Sequence, residues 1–175
     1  TPGQDISISL DIAATQFGKN GVYNLSRDKL KVDSDLLSEI FLKWIEKYPI
    51  VSFEDTFAED DIVALTKFTK AIGSRVQIVA DDFVCTKASN IEYAAMVGAC
   101  NSALIKPNQV GTLSEAKAAF NAARNVKWTK ILSARSGETE DVSIVHLAIG
   151  WGADQLKIGS FSRSERMAKW NEGLR

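Results

Sequence analysis

The chain has 175 residues, 45% of them hydrophobic and 25% charged, a composition suited to one soluble globular domain with a sizeable core. A formal net charge of −1 gives no field for nucleic acid or an anionic membrane, no apolar run approaches bilayer-spanning length, and TPGQDISIS does not read as a signal peptide. Cys85 and Cys100 lack zinc-type spacing and are too few for a disulfide framework, so free thiols in a cytoplasmic protein are expected.

Ile6–Leu10 reads as a strand running into Asp11, and Gly18–Gly21 as a tight turn in a small hairpin between Phe17 and Val22-Tyr23. Asp33–Tyr48 is helical, with Leu36, Leu37, Ile40, Phe41, Trp44, Ile45 and Tyr48 on one face, and Pro49 ends it. Ile50–Phe53 is the next buried strand, ending in Glu54-Asp55. The acidic run Glu59-Asp60-Asp61 then opens a helix whose inward face is Ile62, Leu65, Phe68 and Ile72, with Gly73 as its cap. Val76–Ala80 is a third strand, ending in Asp81-Asp82. Ser89–Glu92 has capping-box spacing for a helix that ends near Gly98.

Ala103-Leu104-Ile105 is an apolar run that stops at Lys106, followed by Pro107 and an Asn-Gln-Val-Gly turn. Thr112–Glu115 is a second capping box, before an alanine-rich helix to Arg124. Lys130–Ser133 is a fifth strand, followed by Ala134-Arg135-Ser136-Gly137 and a helix expected from Glu138 to about Gly150, in which the single His146 reads as a packed residue. Gln155–Ile158 is a short last strand containing Lys157. Ser160–Leu174 closes the chain as a helix carrying Arg163, Arg166 and Lys169.

Strand and helix alternate throughout, which points to parallel β/α units wound right-handed. Nearly every strand carries an ionisable residue at its C-terminal end: Asp11, Glu54, Asp81, Lys106, Arg135-Ser136 and Lys157. A barrel gathers all such ends, whereas an open sheet uses one switch point, so an incomplete (β/α)8 barrel fits better than a doubly wound sheet. Asp11, Glu54 and Asp81 make an all-oxygen set suited to Mg²⁺, and without a cation they would repel one another. Partial burial turns a lysine at such a rim into a usable base, so Lys106 is the candidate for proton abstraction beside a metal-held carboxylate. Arg135, Ser136 and the N–H groups of the helix expected next can take a phosphate. Asp55, Asp82 and Glu59-Asp60-Asp61 read as helix openers and solvated charge.

At these residues a family resemblance is visible. Val51-Ser-Phe-Glu-Asp-Thr-Phe57, Val79-Ala-Asp-Asp-Phe83, Leu104-Ile-Lys-Pro-Asn-Gln-Val-Gly111, Ala134-Arg-Ser-Gly-Glu-Thr-Glu-Asp141 and Ser162-Arg-Ser-Glu-Arg166 resemble the signature segments of enolase. The resemblance implies that residues 1–175 are a partial enolase C-terminal barrel domain, about the last six β/α units, without the small N-terminal domain and first barrel strands. It implies Asp11, Glu54 and Asp81 as Mg²⁺ ligands, Lys106 as the base, and Lys157 as a second catalytic lysine that neutralises the substrate carboxylate. Arg135 and Ser136 would contact the phosphate. The implied activity is reversible dehydration of 2-phosphoglycerate to phosphoenolpyruvate by a cytoplasmic lyase, homodimeric in its intact form, with this chain inactive by itself.

Three positions depart from the family's pattern: Ala134 stands where a histidine precedes Arg-Ser, Thr56 where a proline follows Glu-Asp, and Pro107 where a β-branched residue follows the lysine. Ala134 leaves open two alternatives, an enolase-like enzyme for a different carboxylate and a non-catalytic enolase-like binding protein.

Overall fold

A computed structural model describes residues 1–175, which divide into two units, Thr1–Phe83 with Tyr93–Asn101 and Val84–Glu92 with Ser102–Arg175. In the first unit lie β1 (Ile8–Asp11), a 3₁₀ turn at Ala14–Gln16, β2 (Gly18–Lys19), β3 (Val22–Leu25), β4 (Leu30–Asp33), α1 (Ser34–Lys47), β5 (Ile50–Glu54), α2 (Ile62–Ile72) and β6 (Gln77–Ala80). The strands β1, β5 and β6 are parallel neighbours in that order, and β2, β3 and β4 form a separate antiparallel sheet. The expected hairpin is therefore present but has a third strand. Leu30–Asp33 is too short for its alternation to be read from sequence, and pairing with β3 forms it.

The helix starts follow local chemistry. Asp33 caps α1 by accepting the Leu36 N–H at 2.8 Å, and Asp61 caps α2 by accepting that of Ala64 at 3.2 Å. Gly73 does follow α2, but with φ −61° it ends the helix without the left-handed turn expected of a glycine cap. Phe53 of β5 is wholly buried and sets the core of this unit, its ring 5.3 Å from Phe41 of α1 and 5.8 Å from Phe68 of α2. Phe57 joins them edge-on, 5.6 Å from Phe68. Such pairs contribute about 0.5–1.5 kcal/mol each beyond burial. Tyr23 ties the small sheet down, donating to Asp61 at 2.9 Å and accepting the Ala58 N–H at 3.1 Å. Burial pushes its phenol well above the usual range.

The helix α3 (Ala88–Met96) begins one residue before Ser89, which is thus inside the first turn and not its cap. The second unit continues with β7 (Ser102–Ile105), α4 (Pro107–Val110), α5 (Leu113–Asn125), β8 (Thr129–Ser133), α6 (Ser143–Trp151), β9 (Gln155–Lys157) and α7 (Ser164–Leu174). Its strands β7, β8 and β9 are parallel neighbours. All four residues of β7 are buried, as an apolar run between turn signals should be. Ala116, Ala119, Ala122 and Ala123 let α5 approach β7 and β8 closely, with Phe120 filling the remaining space. Thr112 makes the expected cap, accepting the Glu115 N–H at 3.2 Å and donating to its carboxylate at 2.6 Å.

Four expectations are corrected in this unit. The turn after Lys106 is the short helix α4, with Pro107 at its first position, where a missing N–H costs nothing. α6 starts at Ser143 and not Glu138, and α7 at Ser164 and not Ser160. His146 is exposed and not packed; its Nε2 lies 3.1 Å from Glu172 of α7. No helix is long and apolar enough to cross a membrane.

Candidate active site

In the first unit the pleat sorts the acids. Phe53 points to the face covered by α1 and α2, so Glu54, the next residue, points to the other. The register places Asp11 beside Glu54, and Glu54 beside Val79, with Asp81 two residues further on. Parallel partners share a face, so Asp11, Glu54 and Asp81 stand on the same side, each at or one residue past the end of its strand. Glu54 and Asp81 are only 5% and 7% exposed, whereas Asp11 is open to solvent. Buried acids on one face are the chemistry of a cation site, because a cation relieves both desolvation and mutual repulsion.

A residue that sequence reasoning set aside proves central to this region. Asp55 is neither a helix opener nor fully solvated. Its backbone turns into the left-handed region at φ 44°, and its carboxylate accepts the N–H groups of Asp81 and Asp82, each at 2.9 Å. Burial lifts it from the ordinary 3.8 to about 6; the two N–H bonds oppose the rise and the charges of Asp81 and Asp82 add to it. Asp55, Asp81 and Asp82 bring carboxylate oxygens within 4.8 Å of one another, a cluster that could hold a metal ion. The donors are all hard oxygens, as a Mg²⁺-type cation requires. Asp81 is common to this cluster and to the trio expected from sequence, while Asp11 and Glu54 are not members of it.

In the second unit Lys106 follows β7 directly and is half-buried. Its backbone N–H donates to the Thr86 hydroxyl at 3.0 Å, and that hydroxyl donates to Gln109 Oε1 of α4 at 2.6 Å. Thr86 is wholly buried at φ 54°, after Cys85 at φ 47°, so two successive left-handed residues deliver its side chain to the lysine's peptide. Ile105 pairs with Leu132, and Ser133 with Lys157, so Lys106, Ser133 and Lys157 fall at one level of the sheet. Lys157 is exposed. Ala134 extends the ladder, donating its N–H to the Lys157 carbonyl at 3.0 Å, and is itself buried.

Arg135 and Ser136 are exposed in the turn after β8. Because α6 begins only at Ser143, no helix start follows this turn directly, and the expected helix-dipole contribution to anion binding is corrected accordingly. Glu138 is not helical; its Oε1 accepts the Arg135 N–H at 2.8 Å. Arg166 and Lys169, noted in the sequence only as cations along the last helix, are buried against this turn. Their three-residue spacing, which places both on one helix face, was the available signal.

The sequence matches the family model described as enolase, C-terminal TIM barrel domain, over residues 2–175. The chain belongs to the enolase family. It is 44% identical over 175 residues to the protein named Enolase 1 of Methylococcus capsulatus, covering 99% of this chain and 41% of that protein. It is 41% identical over 175 residues to Enolase 2 of Pseudomonas syringae pv. syringae, covering 100% of this chain and 41% of that protein. The chain thus spans about two fifths of the length of these enolases. As an enolase C-terminal domain it has α/β architecture of the TIM-barrel type, and its six parallel strands, three in each unit, make that barrel incomplete.

Proposed function

We propose that this chain is the catalytic-barrel part of a Mg²⁺-dependent enolase, a lyase that interconverts 2-phosphoglycerate and phosphoenolpyruvate. The observation that carries the reading is that every strand of the two parallel sets ends in, or within three residues of, a group the reaction needs, in a chain that matches the enolase domain over 2–175. Asp11, Glu54 and Asp81 would hold the metal, with Asp55 fixing the main chain of Asp81 and Asp82 through two N–H bonds. Magnesium, when bound, supplies positive charge that binds the substrate carboxylate and lowers the cost of forming negative charge next to it. Lys106 takes the proton from the carbon beside that carboxylate, its backbone held by Thr86. Lys157 offsets carboxylate charge, and Arg135 with Ser136 binds the phosphate. The resemblance extends the reading to a cytoplasmic homodimer as the intact form.

Ala134 favours a second reading, an enolase-type enzyme acting on a different carboxylate. A small, buried side chain stands where the family pattern has a histidine, and the lost imidazole would leave room for a different carboxylate beside Arg135. Both readings share the proton-abstraction step, and that step is the test. In the intact enzyme, 2-phosphoglycerate should exchange its α-proton with deuterated solvent, and Lys106→Ala should abolish the exchange. Exchange at the wild-type rate in the variant would show that Lys106 is not the base.

A further inference from the structure

The Arg135–Ser136 turn is gripped from α7. Arg166 is buried, and its guanidinium donates through Nη1 to the carbonyls of Arg135 at 3.0 Å and Ile158 at 3.2 Å, and through Nη2 to that of Ser136 at 2.8 Å. One helical turn on, Lys169 is 1% exposed and donates to the carbonyls of Thr139 at 2.8 Å and Glu165 at 3.1 Å. Its Nζ also lies 3.1 Å from Glu138 Oε2, while Glu138 Oε1 holds the Arg135 N–H. Gly159 makes room for the guanidinium: a Cβ there would lie 2.7 Å from Arg166 Cδ.

Two buried cations are a costly way to close a helix onto a core, since apolar residues of similar size would do so with less desolvation. They do supply direction. In a trans peptide the N–H points opposite the C=O, so fixing a carbonyl fixes where the next residue's N–H aims. With the carbonyls of Arg135 and Ser136 drawn to Arg166, the N–H groups of Ser136 and Gly137 are turned away from the helix, to the solvent side on which these residues are exposed. There they add to the donors of the Arg135 guanidinium and the Ser136 hydroxyl. At Arg166 the planar fork holds three carbonyls through two separate nitrogens in fixed geometry; a lysine in its place supplies the charge but only one nitrogen.

We infer that Arg166, backed by Lys169 and Glu138, is a positioning residue that orients the 135–137 segment as a set of donors for the substrate phosphate. The inference rests on the reading of Arg135 and Ser136 as phosphate contacts, and the test separates the two. In the intact enzyme, calorimetry with 2-phosphoglycerate and steady-state kinetics would be compared for wild type, Arg166→Lys, Glu138→Gln and Phe120→Leu. Phe120→Leu loosens the core of the same unit where Phe120 meets Trp151.

Losing a hydrogen bond to a charged group weakens binding by about ten- to a hundredfold, so Arg166→Lys should raise Kd and KM by that order with little change in kcat. Glu138→Gln should raise them less, and Phe120→Leu not at all. Unchanged KM in Arg166→Lys overturns the inference, and so does an equal rise in Phe120→Leu, which would mean general loosening. Should Arg166→Lys not fold, Glu138→Gln decides: a raised KM sustains the inference and an unchanged one overturns it. A wild-type enzyme that does not bind 2-phosphoglycerate refutes the proposed function first, before any variant is compared, and the inference falls with it.

Discussion

Thr86→Val isolates the support of Lys106 from its chemistry. The two side chains are close to isosteric and both β-branched, so the strain at φ 54° is unchanged and only the hydroxyl is lost. Two bonds go with it, the 3.0 Å acceptance from the Lys106 N–H and the 2.6 Å donation to Gln109. A buried N–H left unpaired costs about 1–3 kcal/mol, and Gln109, being only half-buried, can turn its oxygen to water for less. The sum is roughly 2–3 kcal/mol, which in an intact enzyme of its relatives' length lowers the melting midpoint by about 2–4 °C.

If the lysine's backbone relaxes as a result, misplacement of the base slows proton transfer by about ten- to a hundredfold. Thr86→Ser keeps both bonds and loses one buried methyl, so it should cost about 1 kcal/mol and leave the rate nearly intact. The assay is deuterium incorporation at the α-carbon of 2-phosphoglycerate, followed by NMR in the intact enzyme beside a thermal melt of each variant. Thr86→Val that melts early yet exchanges at the wild-type rate would refute the reasoning, since Thr86 would then serve the fold alone.

Asp81→Asn should weaken magnesium binding strongly by removing one full ligand charge, and the thermal stabilisation of the wild type by Mg²⁺ should shrink with it; midpoints indifferent to Mg²⁺ and EDTA in both proteins would count against the site. Ala134→His should raise phosphoenolpyruvate formation more than α-proton exchange, by up to about 10²–10³ if the histidine supplies a transition-state hydrogen bond; an unchanged ratio of the two rates would show the alanine to be neutral. In metal-free protein, Asp55 makes stability fall as pH rises. The unfolded chain ionises near 3.8 while the folded state keeps this proton to about 6, so the folded state binds more protons across that window. The loss, roughly 3 kcal/mol at most, should be complete above pH 6 and absent in Asp55→Asn, as denaturant titrations at successive pH values would reveal.

What could be read in advance was whatever depends on neighbours in sequence. Asp11, Glu54 and Asp81 stand out because an acid directly follows an apolar run, and the strands end where those acids begin. Thr112 and Glu115 are three residues apart, so their reciprocal cap was legible too. Asp55 was not, because its role is set by peptide groups of Asp81 and Asp82, which belong to the segment after another strand. The start of α6 failed for a similar reason. Glu138 looks like a first-turn acid, but its carboxylate is committed to Arg135 and Lys169. The burial of Lys169 is likewise invisible to composition, since a lysine on a polar helix reads as solvated until its partners on the turn are known.

The contact between Gly18 and Tyr23 carries a consequence for how such sequences can drift. A Cβ on residue 18 would lie 2.2 Å from the Tyr23 ring, whose hydroxyl is already bound to Asp61 and Ala58. The ring cannot step aside without giving up both bonds, so no side chain enters position 18 while tyrosine holds position 23. The two sites are therefore coupled in substitution. A lineage that replaces the glycine must first shrink the aromatic, and in doing so it abandons the tie between the small sheet and the start of α2. Variation at either position alone should be selected against, and paired changes should mark branches in which the excursion after β1 is anchored some other way.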